Sequence, residues 1–201
     1  VLATGGKSHP ETGSTGDGFA WLKNIGHEVA ESKAALVPVV VKDTWVKKLQ
    51  GISLSGVKIT LLQNGTKQNT GKGNILFTHF GLSGPAILNL SKDIGELLKY
   101  GEVIISFDLL PLLNEQKLDA RIRELIAEQI NKKLKNCLGA LVPSALVPIA
   151  IELSDIRPDT FNNGITREER LRLVKLLKHM PIRAARLLGV EKAIVTSGGV
   201  I

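Results

Sequence analysis

The chain has 201 residues, with Lys+Arg 26 against Asp+Glu 19, a formal net charge of +7, a hydrophobic fraction of 43% and a charged fraction of 22%. That apolar content supports a real core and excludes intrinsic disorder. Cys137 is the only cysteine, which excludes a disulfide scaffold and a multi-cysteine zinc site, and no apolar run approaches the roughly 20 residues of a membrane-spanning helix.

Val1-Leu2-Ala3-Thr4-Gly5-Gly6 reads as a buried strand running into paired glycines, and Ala193-Ile194-Val195-Thr196-Ser197-Gly198-Gly199-Val200 repeats the pattern at the other end. Glycines after a β-branched run let another backbone or a ligand come close. Because free termini are ordinarily polar, the two ends are expected to be where this segment rejoins a longer protein, with Gly5 and Gly198 side by side. Without a signal peptide, the expected setting is the reducing cytoplasm.

Gly13-Ser14-Thr15-Gly16-Asp17-Gly18 is a glycine-rich turn opening a short amphipathic helix over Phe19 to Ile25, which Gly26 stops. From Leu36 to about Leu110 the pattern is that of strands. Val57, Ile59 and Leu61 alternate with Lys58 and Thr60, and Asn64-Gly65 is a hairpin signal. Ile75 to Phe77 and Val103 to Phe107 supply further strands, so this stretch predicts a small antiparallel sheet or barrel.

At Asn114 the period becomes helical. Leu118, Ile122, Leu125, Ile126, Gln129, Ile130 and Leu134 trace one face of a long helix, with acids early and bases late to suit the helix dipole. A second helix follows Pro143, with a kink or break expected at Pro148. A third starts at Thr166, where Glu169 completes a capping box, and would bury Leu171, Val174 and Leu177. By themselves these helices read as a packing module.

Three patterns bear on chemistry. Gly65 to Gly73 resembles a phosphate loop but fails on spacing, and Gly73 stands where a magnesium-binding Ser or Thr belongs; it reads as a polar hairpin tip. His9, His27, His79 and His179 lack metal-ligand spacing. In Leu76-Phe77-Thr78-His79-Phe80-Gly81-Leu82-Ser83-Gly84-Pro85-Ala86, a strand ends in Thr-His and Pro85 suits the first helical position, with Ser83 or Gly84 as N-cap. Such a helix start offers unpaired N–H groups to an electron-rich group. The basic balance permits nucleic-acid binding, but acids interleave with the bases and aromatics are only 4%, so a solvated basic surface is the expected reading.

Ala3-Thr4-Gly5-Gly6-Lys7-Ser8, Pro10, Gly13 to Gly18, Gly26-His27 and Ala35 to Pro38, followed in order by Leu76 to Pro85 and Val195 to Val200, resemble motifs of the HI0933-like (BaiN-type) flavoproteins. That family is described as NAD(FAD)-utilising dehydrogenases, with aminoacetone oxidase-like and bile-acid-reductase-like members. The resemblance covers essentially the whole chain. It implies an α+β architecture in which a Rossmann-like FAD domain is interrupted by a small antiparallel β-barrel-like substrate domain carrying a helical insert. Residues 1–35 and 193–201 would be remnants of the FAD domain, 36–112 the barrel completed by about 180–192, and 113–179 the insert.

The resemblance also implies roles. Ala3, Thr4, Gly5, Gly6, Thr196, Gly198 and Gly199 would line the FAD; Thr78 and His79 would be catalytic; Ser83 and Gly84 would face the substrate. His79 could exchange protons near neutral pH. NAD(P)H is an expected electron donor. The expected partners are the rest of the protein's own FAD domain and a small-molecule substrate, with neither membrane nor nucleic acid; a homo-oligomer stays open. The pyrophosphate-binding GxGxxG motif is missing from these residues, so the chain alone is expected to be inactive and to bind FAD weakly or not at all. A non-catalytic interaction module and a basic nucleic-acid-binding domain remain as alternatives.

Overall fold

The structure is a computed structural model describing residues 2–201, including all side chains except those of 31–34 and 190. A helix, α1 (Asp17–Asn24), leads to β1 (Val29–Ala35), β2 (Val39–Val41), β3 (Ser53–Gln63), β4 (Thr66–Phe77) and β5 (Gly81–Ser83). Then come α2 (Pro85–Leu97), β6 (Val103–Asp108), the helices α3 (Glu115–Glu128), α4 (Val147–Leu153) and α5 (Arg167–Lys178), and finally β7 (Met180–Leu187) and β8 (Val195–Val200). The fold is α+β: six strands close an antiparallel barrel in the order β2-β5-β4-β3-β6-β7, and β1 pairs with β8 in a separate two-stranded sheet.

Alternation builds the barrel. Val57, Ile59 and Leu61 of β3, Val103, Ile105 and Phe107 of β6, and Met180, Ile182 and Ala184 of β7 are all buried, while Lys58, Pro181 and Arg183 between them are exposed. A period of two puts one set inside and the other outside. The Asn64-Gly65 turn has φ of 51° and 75° at its two residues, as a two-residue hairpin connection with right-handed strand twist needs. The turn is only that pair: β4 starts at Thr66, so the polar run to Gly73, expected to be a hairpin tip, is the outer half of a long strand.

Pro85 opens α2 and Gly84 caps it with φ of 93°. A Cβ on Gly84 would lie 2.9 Å from Ile75 Cα and from Leu76 N, so only glycine fits there. Ile87, Leu90 and Ile94 bury the inner face of α2 against the barrel. Gln63 Nε2 donates to the Leu97 carbonyl at 2.7 Å, and Ser91 Oγ accepts from Val37 N at 3.1 Å, so this helix is tied down at its middle and at its C-terminal end.

The α3–α5 helices lie in sequence between the adjacent strands β6 and β7. The expected long helix stops at Glu128, because Asn162 Nδ2 takes the Gln129 carbonyl at 2.7 Å and Asn162 N takes that of Lys132 at 2.9 Å. Ile130 is 52% exposed, and Leu134 is buried in a separate turn of 3-10 helix. After Pro143 the chain makes a 3-10 turn over Ser144–Leu146 and becomes α4 only at Val147, so Pro148 sits in the first turn of α4 where the expected break falls. Thr166 makes the expected capping box with Glu169, at 3.1 Å and 2.8 Å. On α5, Val174 and Leu177 are buried as expected, but Leu173 is inside and Leu171 is 44% exposed.

The N-terminal expectation changes. Residues 2–6 form no strand, and Val1 lies outside the described residues. The partner of β8 is β1, whose alanine-rich sequence Val-Ala-Glu-Ser-Lys-Ala-Ala carries little strand signal. Among the described residues no helix is long and apolar enough to cross a membrane.

Candidate functional site

Thr78 and His79 sit at the tip of the tight connection between β4 and β5. Phe77 faces Leu82 and Leu76 faces Ser83 across that pair. Thr78 N donates to the Gly81 carbonyl at 2.8 Å, and Gly81 N donates to Thr78 Oγ1 at 3.1 Å. The hydroxyl therefore fixes the turn. His79 is exposed, its ring edge-on to Phe80 with centroids 4.9 Å apart. Ser83 ends β5 and Gly84 follows it as the N-cap of α2, so the β4–β5 hairpin and the helix start just after it carry all four of the predicted catalytic and substrate-side residues.

The predicted cofactor-side residues form a second group. Lys7 N lies 3.5 Å from Thr196 Oγ1, to which it donates. A Cβ on Gly6 would come within 2.7 Å of the same oxygen. The segments carrying Gly5-Gly6 and Thr196-Gly198-Gly199 therefore meet, while Ala3 and Thr4 lie on the exposed approach to them. Gly198 and Gly199 have φ of 100° and 141°, at the register shift of the β1–β8 ladder, where Gly199 pairs with Ala30 and Ser197 with Lys33. The hydrogen bonds of Thr78 run to Gly81 and that of Thr196 to Lys7; α2, packed against both β4 and β1, spans the interval between the groups.

Sequence reasoning did not find a third region. A cleft of about 470 Å³ lies on the outer face of the barrel, lined by Ser55, Gly56, Lys72 and the loop Leu109-Leu110-Pro111-Leu112-Leu113. It contains none of the predicted residues. Leu112 is 90% exposed at its rim. The loop is held from beneath by Lys178, whose Nζ donates to the carbonyls of Leu110 at 3.1 Å and Leu113 at 2.5 Å. A sequence signal does mark this face: between Asp43 and Asp93 there is no acid, and the cations are Lys47, Lys48, Lys58, Lys67, Lys72 and Lys92.

Across the barrel, Asp43 clamps β7. Its carboxylate accepts from Arg183 N at 2.6 Å and from Arg183 Nη2 at 2.7 Å. The hydrogen bond and the charge of Asp43 raise the Arg183 pKa above its ordinary value. Among the described residues no three of His, Cys, Asp or Glu come together to hold a metal ion.

Residues 33–195 match the family profile described as the HI0933-like protein barrel and H2TH domain. Over its full length the chain is 31% identical to the ribosomal RNA dihydrouridine synthase of Escherichia coli (strain K12), covering 47% of that protein. It is 32% identical to the ribosomal RNA dihydrouridine synthase of Haemophilus influenzae, again covering 47%. It is 26% identical to the 3-dehydro-bile acid delta(4,6)-reductase of Clostridium scindens, covering 49%. The chain spans about half the length of the curated relatives it matches.

Proposed function

The chain belongs to the HI0933-like family, and from that premise we propose that it is the barrel and helical portion of a flavin-dependent oxidoreductase that reduces uridine in ribosomal RNA. The observation that carries this reading is full-length similarity, at 31% and 32% identity, to two proteins named for that product. Composition argued against nucleic acid as a partner; the two relatives favour it, and the acid-free stretch of sequence between Asp43 and Asp93, which supplies β3 and β4, supports them.

The chemistry unites all three relatives. Dihydrouridine is uridine with its C5=C6 bond reduced, and that bond is conjugated to a carbonyl. A 3-dehydro steroid with a 4,6-unsaturation presents the same conjugated arrangement. Reduction adds a hydride to the carbon far from the carbonyl and a proton to the carbon beside it. FAD, reduced by NAD(P)H, would supply the hydride when bound.

The residues present fit the ring end of such a cofactor. Gly5, Gly6, Thr196, Gly198 and Gly199 offer backbone and small side chains, and a Cβ would crowd Thr196 Oγ1 at Gly6 and Ser14 Oγ at Gly5. They do not fit its pyrophosphate, because α1 carries Asp17 in its first turn, where a phosphate would be repelled. In this reading His79 supplies the balancing proton and Thr78 holds its turn. Ser83 and Gly84 orient the substrate carbonyl at the start of α2.

The test is to incubate full-length protein with FAD, NAD(P)H and unmodified ribosomal RNA, digest the RNA, and weigh its nucleosides. Gain of two hydrogens on one uridine is expected, and His79→Ala should lower the rate by about 10²-fold or more. Unchanged uridine, or full turnover by His79→Ala, ends the corresponding assignment. A second reading, a small conjugated enone as substrate, rests on the 26% identity to the bile-acid reductase and predicts reduction of a 3-dehydro steroid in the same assay.

A further inference from the structure

We propose that the outer face of the β3–β4 hairpin, with the cleft beside it, is the surface on which a single-stranded RNA segment lies; this rests on the ribosomal RNA reading above. Register places three lysines on this face. Lys58 stands directly opposite Lys72, Thr60 opposite Thr70, and Leu62 opposite Lys67. Cross-strand partners project from the same side of a sheet, and the buried neighbours Val57, Ile59 and Leu61 fix that side as the outer one.

A bulge makes the row possible. The register shifts between Leu61, which faces Asn69, and Leu62, which faces Lys67. Without that extra residue the alternation would turn Lys67 toward α2, where Asn69 already bonds Asp93 at 2.5 Å. Lys67 and Lys72 are then about 15 Å apart along the strand. That is the reach of several nucleotides and far more than one carboxylate requires.

The charge is left free. Among the described residues no acid pairs with Lys58, Lys67 or Lys72, all of them exposed. On β6, Asp108 lies opposite Lys58, but its carboxylate is engaged by Lys178 at 2.7 Å. Two lysines facing each other across a ladder repel unless an anion lies between them.

The cleft completes the surface. Lys72 forms one wall, and the leucines of the 109–113 loop form the other. Ser55 and Leu109 continue it into a second recess, reaching Leu141, Val142, Pro143 and Leu146 of the helical region. A polyanion tracking the lysine row would therefore have apolar walls at its side for an unstacked base. Phosphate contacts of this kind give affinity and register, and leave base selection to other groups.

The experiment measures anisotropy of a fluorescein-labelled oligouridylate with this chain across a salt series. Expected is binding whose logarithm falls linearly with log salt, by about 0.7 per phosphate contact. Lys58→Glu/Lys67→Glu/Lys72→Glu should weaken it by about tenfold or more and flatten the slope, whereas Lys175→Glu on α5 should do neither. Should the triple variant fail to fold, Lys58→Gln and Lys72→Gln singly must each reduce the slope.

Dihydrouridine formation by the full-length protein separates the two ideas. Unaltered reduction and binding by the hairpin variants overturn the docking surface and leave the function. Hairpin-dependent binding without reduction does the reverse. No RNA binding by the unaltered chain overturns the surface, and so does saturation by cholate that the same variants weaken while RNA is ignored.

Discussion

Lys178 and Asp108 meet at 2.7 Å where the chain leaves the barrel for its helices, with side chains only 9% and 16% exposed. Lys178 donates as well to the carbonyls of Leu110 and Leu113, so its three protons are all used. Asp108 accepts in turn from Leu110 N at 3.1 Å. The pair shapes the loop that walls the cleft.

Lys178→Met should therefore cost about 3–5 kcal/mol, because it strands a largely buried carboxylate and two carbonyls. Adding Asp108→Asn should recover part of that loss. Urea denaturation of both variants decides it; a double variant no more stable than the single one contradicts the coupling.

Gly84 and Gly65 differ in what surrounds them. At Gly84 a methyl would press on the backbone of Ile75 and Leu76, and the residue has φ of 93° and ψ of 159°, a region that is glycine's alone. At Gly65, φ is 75° and the space is open. Gly84→Ala should cost about 3 kcal/mol or more and Gly65→Ala about 1 kcal/mol. Comparable thermal shifts for the two would refute the packing account.

Asp159 carries a pH signature. Its hydrogen bond to Lys133 Nζ, then the charges of Lys133 and Lys135, hold its carboxyl below the ordinary aspartate value. A carboxyl depressed in the folded state contributes stability that is complete above its unfolded pKa. That contribution disappears as pH falls through the depressed folded value. The group is exposed, so the contribution is small. An NMR titration should find Asp159 titrating lower than a free aspartate, and Lys133→Met should move it up toward the ordinary range, with Lys135 keeping part of the lowering.

Ser154 Oγ is buried without a hydrogen-bond partner among the described residues. Its backbone carbonyl, which accepts from Arg172 Nε at 2.9 Å, does not depend on the hydroxyl. Ser154→Ala should be neutral or raise stability by up to about 1 kcal/mol. A fall in melting temperature would show the hydroxyl to be satisfied after all.

Local chemistry made much of the fold legible. The Asn64-Gly65 turn, Pro85 at the start of α2 and the Thr166–Glu169 box each involve residues three or fewer apart, and each formed as read. What escaped depended on distant partners. Glu128 ends α3 because Asn162 takes the next carbonyls, and nothing near residue 128 announces that. β1 is a strand because β8 pairs with it, some 165 residues away in sequence, despite three alanines and two charges in seven residues. The predicted Thr78, His79, Ser83 and Gly84 share a hairpin and the helix start after it because they are neighbours in sequence. Lys58, Lys67 and Lys72 were invisible as a row, since only the bulge at Gln68 puts Lys67 on their side.

The helices leave from Asp108 and return at Met180, and Phe107 and Met180 face each other across adjoining strands. The strand pairing that closes the barrel passes directly from β6 to β7, while Lys178 and the leucines of the helices pack against it. A tight turn joining those two positions would restore a plain hairpin. Evolution could thus exchange the helical module wholesale, retuning what is recognised while the ring of strands stayed intact.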